Sequence, residues 1–268
     1  MNIVAAFKVV PDDQDIQVAA DGSLDCSKAH RIASAYDLNA IEAAVQLAAA
    51  NEGSRVVAVS VGGKDIDDSK LKKNVLARGV DELCMATDDA LVGADAHATA
   101  VALAGLLGKV GAFDVVLCGD GSADDYAQQV DVQLAAKLGL PSVNAVTKLE
   151  VGDGVLVVER TLEDVVEVVE VPLPAVVSVS PDIALPRIPG MKDILAAGKK
   201  PMNLSSADGT VGGSLETVSC LAPKQADRKL RFSMLRRKAP SLGSLRPSRL
   251  RCSSDPDHSL PDRKVKLI

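Results

Sequence analysis

The sequence predicts an α/β fold: a parallel sheet flanked by helices, with a small antiparallel extension and a C-terminal arm. Three observations predict it. Short, nearly continuous apolar runs recur around Val4, Val57 and Val116, as expected of strands buried on both faces. Amphipathic stretches separate them, with apolar residues three and four apart. After Pro141 the pattern switches to β-branched runs broken by turn residues.

Taken in order, residues 3–8 read as the first strand, 55–61 as the second, 82–86 as the third and 115–119 as the fourth. The helix over 37–50 places Ala40, Ala43, Ala44, Leu47 and Ala48 on one face, and Ser34-Ala35-Tyr36-Asp37 ahead of it has the form of a capping box. Helices over 94–107 and 126–138 follow the same logic, the second stopped by Gly139 with Pro141 beyond. Residues 154–162, 165–171 and 175–178 read as strands of an antiparallel ribbon. A short helix over 191–197 ends at Gly198, with Lys199 and Lys200 placed for its C-terminal dipole. Beyond Pro201 the folded pattern fades. The expected organisation is a domain over 1–205, an extended arm over 206–231, and an irregular basic tail over 232–268.

Composition excludes several function classes. The chain has no Trp, two Tyr and three Phe, too few aromatics for a base-stacking platform, and its net charge is −6; nucleic acid is not an expected partner. The five cysteines are scattered, without zinc or redox spacing, and the three histidines do not cluster, so no metal site is expected. Cys84 and Cys118 lie in apolar runs, where a free cysteine acts as a small hydrophobe. No apolar run approaches the roughly 20 residues of a membrane span, so no integral membrane segment is expected, and Met1 to Lys8 lacks the features of a signal peptide. The expected location is cytoplasmic.

Two glycine loops follow strands, where ligands bind in a doubly wound sheet. The first, Val59-Ser60-Val61-Gly62-Gly63-Lys64-Asp65-Ile66, is superficially similar to the pyrophosphate loop of adenylating enzymes. Here Val61 interrupts Ser and Gly, and Ile66 stands where a hydroxyl would meet phosphate. The second runs from Cys118 through Gly119-Asp120-Gly121 to Val130 and leads into a helix, whose first amides suit a phosphate. The third glycine of a dinucleotide fingerprint is missing, so Gly-Asp-Gly alone reads equally as a turn.

An ordered set of motifs carries a family resemblance over about residues 1–231. It comprises Phe7-Lys8-Val9-Val10-Pro11-Asp12, Tyr36-Asp37-Leu38-Asn39-Ala40-Ile41-Glu42-Ala43 and Val59-Ser60-Val61-Gly62-Gly63. The 119–130 loop, Val158-Glu159-Arg160-Thr161-Leu162-Glu163-Asp164 with Pro174-Ala175-Val176-Val177, and Pro186-Arg187-Ile188-Pro189-Gly190-Met191-Lys192 complete it. This set resembles the beta subunit of electron transfer flavoproteins, nearest the FixA-like branch linked to anaerobic carnitine metabolism and nitrogen fixation.

The resemblance implies a Rossmann-like, adenine-nucleotide-binding domain with the nucleotide at the strand ends. In ordinary members that nucleotide is AMP, and FAD is held with the alpha subunit; in electron-bifurcating members a second FAD takes the AMP place. By position it implies Ala6 and Lys8 in a first loop, Ser34, Tyr36 and Asp37 in a second, and Val61 and Gly62 in a third. Gly119, Asp124, Ala127, Gln128, Gln129 and Val130 would form the phosphate group, with Val9 and Val61 about the adenine. Residues 186–200 resemble the loop that docks partner dehydrogenases, with Met191 at its anchoring position; as plain structure, Met191 would be the first buried residue of a short helix. The implied partners are an alpha subunit and an acyl-CoA dehydrogenase or reductase.

The chain departs from the family pattern at three places. Asp131 stands where the family has Gly, which predicts repulsion of a nearby phosphate, and Val165 follows Glu163-Asp164. From Arg228 onward twelve Lys or Arg face Asp255, Asp257 and Asp262 in a Ser- and Pro-rich stretch, where relatives carry an acidic helical end. The expectation is a disordered or frameshifted tail. The function expected is an electron carrier without covalent catalysis of its own. The alternatives are a stand-alone nucleotide-binding regulator of the universal-stress type and, disfavoured by its altered loop, an adenylating enzyme.

Overall fold

The computed structural model describes residues 1–207, 213–215 and 217–223, and the backbone of 264–267. The chain opens with β1 (Asn2–Ala6), which ends two residues earlier than expected because the Lys8 amide turns out of the sheet to the Asp37 carboxylate. Two short antiparallel ladders follow, β2 (Val9–Pro11) with β5 (Arg31–Ala33), and β3 (Gln17–Val18) with β4 (Leu24–Asp25). Next come α1 (Ala35–Ala50), β6 (Arg55–Gly62), α2 (Ser69–Leu76), β7 (Glu82–Thr87), α3 (Ala96–Val110), β8 (Val115–Gly119) and α4 (Val130–Leu138). The remainder is β9 (Ser142–Val151), β10 (Val155–Thr161), β11 (Val165–Pro172), β12 (Ala175–Val179), α5 (Met191–Ala197), β13 (Met202–Ser205) and β14 (Lys264–Leu267).

One ten-stranded sheet runs β13-β7-β6-β1-β8-β12-β9-β10-β11-β14. Its β9–β10 and β10–β11 pairs are antiparallel and its other pairs parallel. The expected ribbon is therefore a continuation of the main sheet, and its third expected strand, 175–178, is instead β12, parallel to β8 on one side and to β9, a strand not expected from the sequence, on the other. Likewise β13 lies beyond the point where the folded pattern fades, as an edge strand on β7. Most of the predicted tail, and residues 208–212, 216 and 224–231 of the predicted arm, lie outside the described residues.

Alternation along the central strands builds a core on each face. Ile3, Ala5, Val56, Ala58, Val115 and Leu117 point to the side of α1 and α2 and pack on Ala40, Ile41, Leu47, Val75 and Leu76. Val4, Ala6, Val57, Val59, Val116 and Cys118 point to the other side, against Leu103, Leu106, Leu107 and Leu134 of α3 and α4. Cys84 and Cys118 are buried in that second core, as expected of small hydrophobes. Small α1 residues let it lie close across β1 and β8, which brings its N-terminus to their carboxyl ends.

Helix boundaries shift for identifiable reasons. The α3 start moves from 94 to Ala96 because Asp95 caps it, its carboxylate accepting the Ala98 amide at 2.8 Å. The α4 start moves from 126 to Val130, since Tyr126 and Gln128 have φ of 48° and 55°, which no right-handed helix accommodates. Its end holds: Gly139, at φ 67°, supplies the left-handed cap. Lys200 does not serve the end of α5; its Nζ donates to the carbonyls of Leu76 (3.0 Å) and Val80 (2.6 Å), at and beyond the end of α2. The same favourable charge thus acts on a different helix.

Candidate functional site

A cleft of about 470 Å³ opens at the carboxyl ends of β1, β6 and β8. The strand order departs from β1 in two directions, through β6 to β7 and through β8 to β12. This is the switch point of the sheet, where diverging connections leave a crevice. The volume lies in the ordinary range of about 300–1,000 Å³ for small-molecule sites.

Asp37 fastens the floor of this cleft. Its side chain, 5% exposed, accepts the Lys8 amide at 2.7 Å and the Gly119 amide at 2.9 Å, so one carboxylate ties the end of β1 to the end of β8. The expected capping box is replaced by this longer-range use. Ser34, fully buried, makes no side-chain cap either; its Oγ accepts the Ala123 amide at 3.2 Å. Burial pushes the Asp37 carboxyl up to about 7, against the pull of the two amides and of Lys8. Gly119 is required here: a Cβ would stand 2.8 Å from both Asp37 Oδ1 and the Tyr36 carbonyl carbon, forcing the loop off α1.

The predicted site residues are distributed as follows. Ala6, Lys8, Val9, Asp37, Val61 and Gly62 line the cleft. So do Gly119, Asp124, Ala127, Gln128, Gln129 and Val130 from the loop and the α4 entrance. Ser34 lies beneath the loop, and Tyr36 packs on Tyr126 with ring centroids 5.1 Å apart. Tyr126 Oη donates to Asp120 at 3.4 Å. The sequence does not single out Arg31, paired with Asp65 at 2.7 Å, or Leu91 and Val92, which form an apolar wall with Ile66. Residues 91–94 reach the cleft from the neighbouring β7–α3 connection, and Ala96 and Thr99 from the first turn of α3, a placement that motif spacing does not reveal.

The cleft combines the first backbone amides of α4, which lack intrahelical acceptors and a side-chain cap, with one apolar wall. Lys8 and Arg31 bring positive charge; Asp37, Asp65, Asp120, Asp124, Asp125 and Asp131 bring carboxyl groups. Burial raises the Asp120 carboxyl. Burial, then the Asp131, Asp37 and Asp120 carboxyls, push the Cys118 thiol well above its ordinary range, leaving it a packed, unreactive group. Among the described residues no group of three or more His, Cys, Asp or Glu is arranged to hold a metal ion, and no helix is long and apolar enough to cross a membrane.

Asp131 was expected to oppose a phosphate. Its carboxylate is 6% exposed and accepts Ser178 Oγ of β12 at 2.6 Å, which seats the first turn of α4 on the sheet. Asp131→Gly should therefore cost stability, about 1–3 kcal/mol for the stranded Ser178 hydroxyl plus helix propensity. Thermal unfolding checks this, and Asp131→Asn, whose side-chain carbonyl still accepts the Ser178 hydroxyl, should keep most of the stability that Asp131→Gly loses.

Residues 181–187 run over the first half of α1. Asn39 Nδ2 donates to the carbonyls of Pro181 (3.1 Å) and Ala184 (2.7 Å). Arg187 binds Glu42 through Nε (2.7 Å), Nη2 (2.9 Å) and its own amide (3.2 Å), while Arg78 Nη1 donates to the Arg187 carbonyl at 2.7 Å. On this pinned segment and the residues that follow it, Leu185, Ile188, Met191 and Leu195 are each at least 70% exposed. Met191 is thus not the first buried residue of a helix. A family model for the electron transfer flavoprotein domain matches residues 23–209, more than two thirds of the chain.

Proposed function

The chain belongs to the electron transfer flavoprotein family, and on that premise we propose that it is the beta subunit of a heterodimeric carrier, passing electrons between a donor and an acyl-CoA dehydrogenase or reductase. The observation carrying the nucleotide part of this reading is the cleft at the switch point, where a glycine turn and the free first-turn amides of α4 meet an apolar wall. These residues suit an adenine nucleotide, either AMP or the adenylate half of FAD. A bound flavin would supply the redox-active ring.

The chain's own residues bind and orient. The α4 amides and Lys8 would take the phosphate, Val9 and Val61 would cover the adenine, and Asp37 would hold the two loops in register. No residue here makes or breaks a covalent bond. The FixA-like assignment rests on motif resemblance, and a cytoplasmic location on the composition.

The exposed apolar group at Leu185, Ile188, Met191 and Leu195 supports the partner reading, since a pinned, solvent-facing apolar segment is the usual form of a docking anchor. Met191→Ala should slow electron delivery to the partner dehydrogenase roughly tenfold while leaving bound nucleotide unchanged. Stopped-flow transfer rates with nucleotide content measured in parallel check it.

The decisive experiment is purification followed by the ratio of FAD and AMP to heterodimer. One FAD with one AMP indicates the simple carrier, and two FAD the bifurcating type. A colourless homodimer that binds ATP overturns the proposal in favour of a stand-alone nucleotide-binding regulator.

A further inference from the structure

Lys8 is the cation that the proposed nucleotide site relies on, yet its ammonium is already engaged. Nζ lies 2.8 Å from Asp124, 3.1 Å from Asp125 Oδ1 and 3.5 Å from Ser122 Oγ. The Ser122 hydroxyl sits 2.6 Å from both carboxylates, holding the pair together around the ammonium. Burial acts to raise the Asp124 carboxyl, but the bonds from Lys8 and Ser122 outweigh it and hold it below its ordinary value, so it stays ionised. The loop is fastened at Gly119 by Asp37 and at Ala123 by Ser34. Past Ala123, Asp124 and Asp125 hold Lys8, Tyr126 packs against Tyr36 with the rings tilted by 48°, and Gln128 sits in the left-handed region before α4 begins.

We propose that Asp124 and Asp125 form a latch on Lys8 that competes with the ligand's phosphate, so that nucleotide affinity is set by release of Lys8 and by movement of residues 122–129. This rests on the nucleotide reading above and deepens it. The latch occupies a cation with two anions from the same loop that carries the phosphate-facing amides. A phosphate arriving at the α4 entrance meets those carboxylates and an ammonium they neutralise. Binding therefore couples to opening of the Asp124–Lys8–Asp125 contact, and the bound state has Lys8 on phosphate with the two aspartates turned to solvent. Salt weakens both competitors, so the latch makes affinity less dependent on ionic strength than an open Lys8 would.

The test uses the full chain, AMP and FAD as separate probes, and Asp125→Asn, Lys8→Gln and the double variant. Asp125 is chosen because its side chain is 62% exposed, so the substitution leaves the core intact. Calorimetry should show Asp125→Asn binding roughly three- to tenfold tighter at low salt, with the gain shrinking as salt rises. Lys8→Gln should bind more weakly, and adding Asp125→Asn to it should give back little. Unchanged or weaker binding by Asp125→Asn overturns the latch. So does an equal gain with and without Lys8, which would mean plain charge repulsion. Amide hydrogen exchange without ligand gives an independent readout: residues 122–129 should exchange faster in Asp125→Asn and in Lys8→Gln, and no acceleration overturns the latch whatever the nucleotide result. If the wild-type chain binds neither probe, the nucleotide reading fails, while exchange still decides whether the Lys8 contact holds the loop.

Discussion

Arg187→Met should lower the melting temperature by roughly 5–10 °C and weaken docking to the electron-transfer partner at the same time. The stability loss comes from the other partner of the pair. Glu42 has only 7% of its side chain exposed, and its carboxyl is held below the ordinary range because bonds from Arg187 and Gln46 overcome the cost of burial. Removing the guanidinium strands that carboxylate. Full loss of a buried partner costs about 3–5 kcal/mol, and the partial exposure of Arg187 reduces this to about 2–3 kcal/mol. For a domain of this size each kcal/mol is worth about 2–4 °C. Arg187→Lys should recover only part, because an ammonium cannot reproduce the two-pronged contact. Glu42→Gln combined with Arg187→Met should be more stable than Arg187→Met alone. On the proposed docking role, the second loss follows because Leu185, Ile188 and Met191 are presented by a segment that Arg187, Asn39 and Arg78 fasten to the body. Differential scanning calorimetry and partner reduction kinetics test the two halves; an unchanged melting temperature would refute the account of Glu42.

Asp37→Asn should be the most damaging conservative change in the cleft. An amide keeps the shape but replaces one acceptor with a donor, so the amide of either Lys8 or Gly119 faces a hydrogen and goes unpaired. The expected loss is about 1–3 kcal/mol, with the Gly119 turn loosened and nucleotide binding reduced. Its pH dependence has a definite sign. The carboxyl is near 7 when folded and about 3.8 when unfolded, so the native state holds its proton more tightly. The stabilisation linked to that proton is complete below about 3.8 and disappears as pH rises through about 7. The stability gap between wild type and Asp37→Asn should therefore be wide at pH 5 and narrow at pH 8. Denaturant unfolding at the two pH values measures it; a gap that widens toward alkaline pH would show that the site favours the ionised form.

The parts of the fold that sequence made legible are those decided by neighbours along the chain. Val56, Val57 and Val59, or Val115 and Val116, cannot be anything but buried strand, and Gly139 stops its helix by local conformation alone. Tyr126, Ala127, Gln128 and Gln129 read as helix formers, and the tertiary contacts of Tyr126 with Tyr36 and Asp120 accompany a different backbone. Asp37 illustrates the same limit more sharply. Three residues after Ser34, an acid reads as a capping partner, but the groups it binds are 29 and 82 residues away. The sequence predicts no helix at α2, because the lysines around Leu71, Val75 and Leu76 obscure their apolar stripe. Twelve of the fourteen proposed binding residues line one cleft, whereas its far wall at Leu91 and Val92 comes from a connection without any motif.

The Tyr36–Tyr126 ring contact has an optical consequence. The chain has no Trp and only these two tyrosines, so its near-ultraviolet fluorescence originates at one corner of the molecule, beside the cleft. A melting curve followed at tyrosine wavelengths registers that corner, while far-ultraviolet circular dichroism registers the helices and the sheet. If the two curves separate, with tyrosine changing first, the cleft opens before the body of the protein gives way.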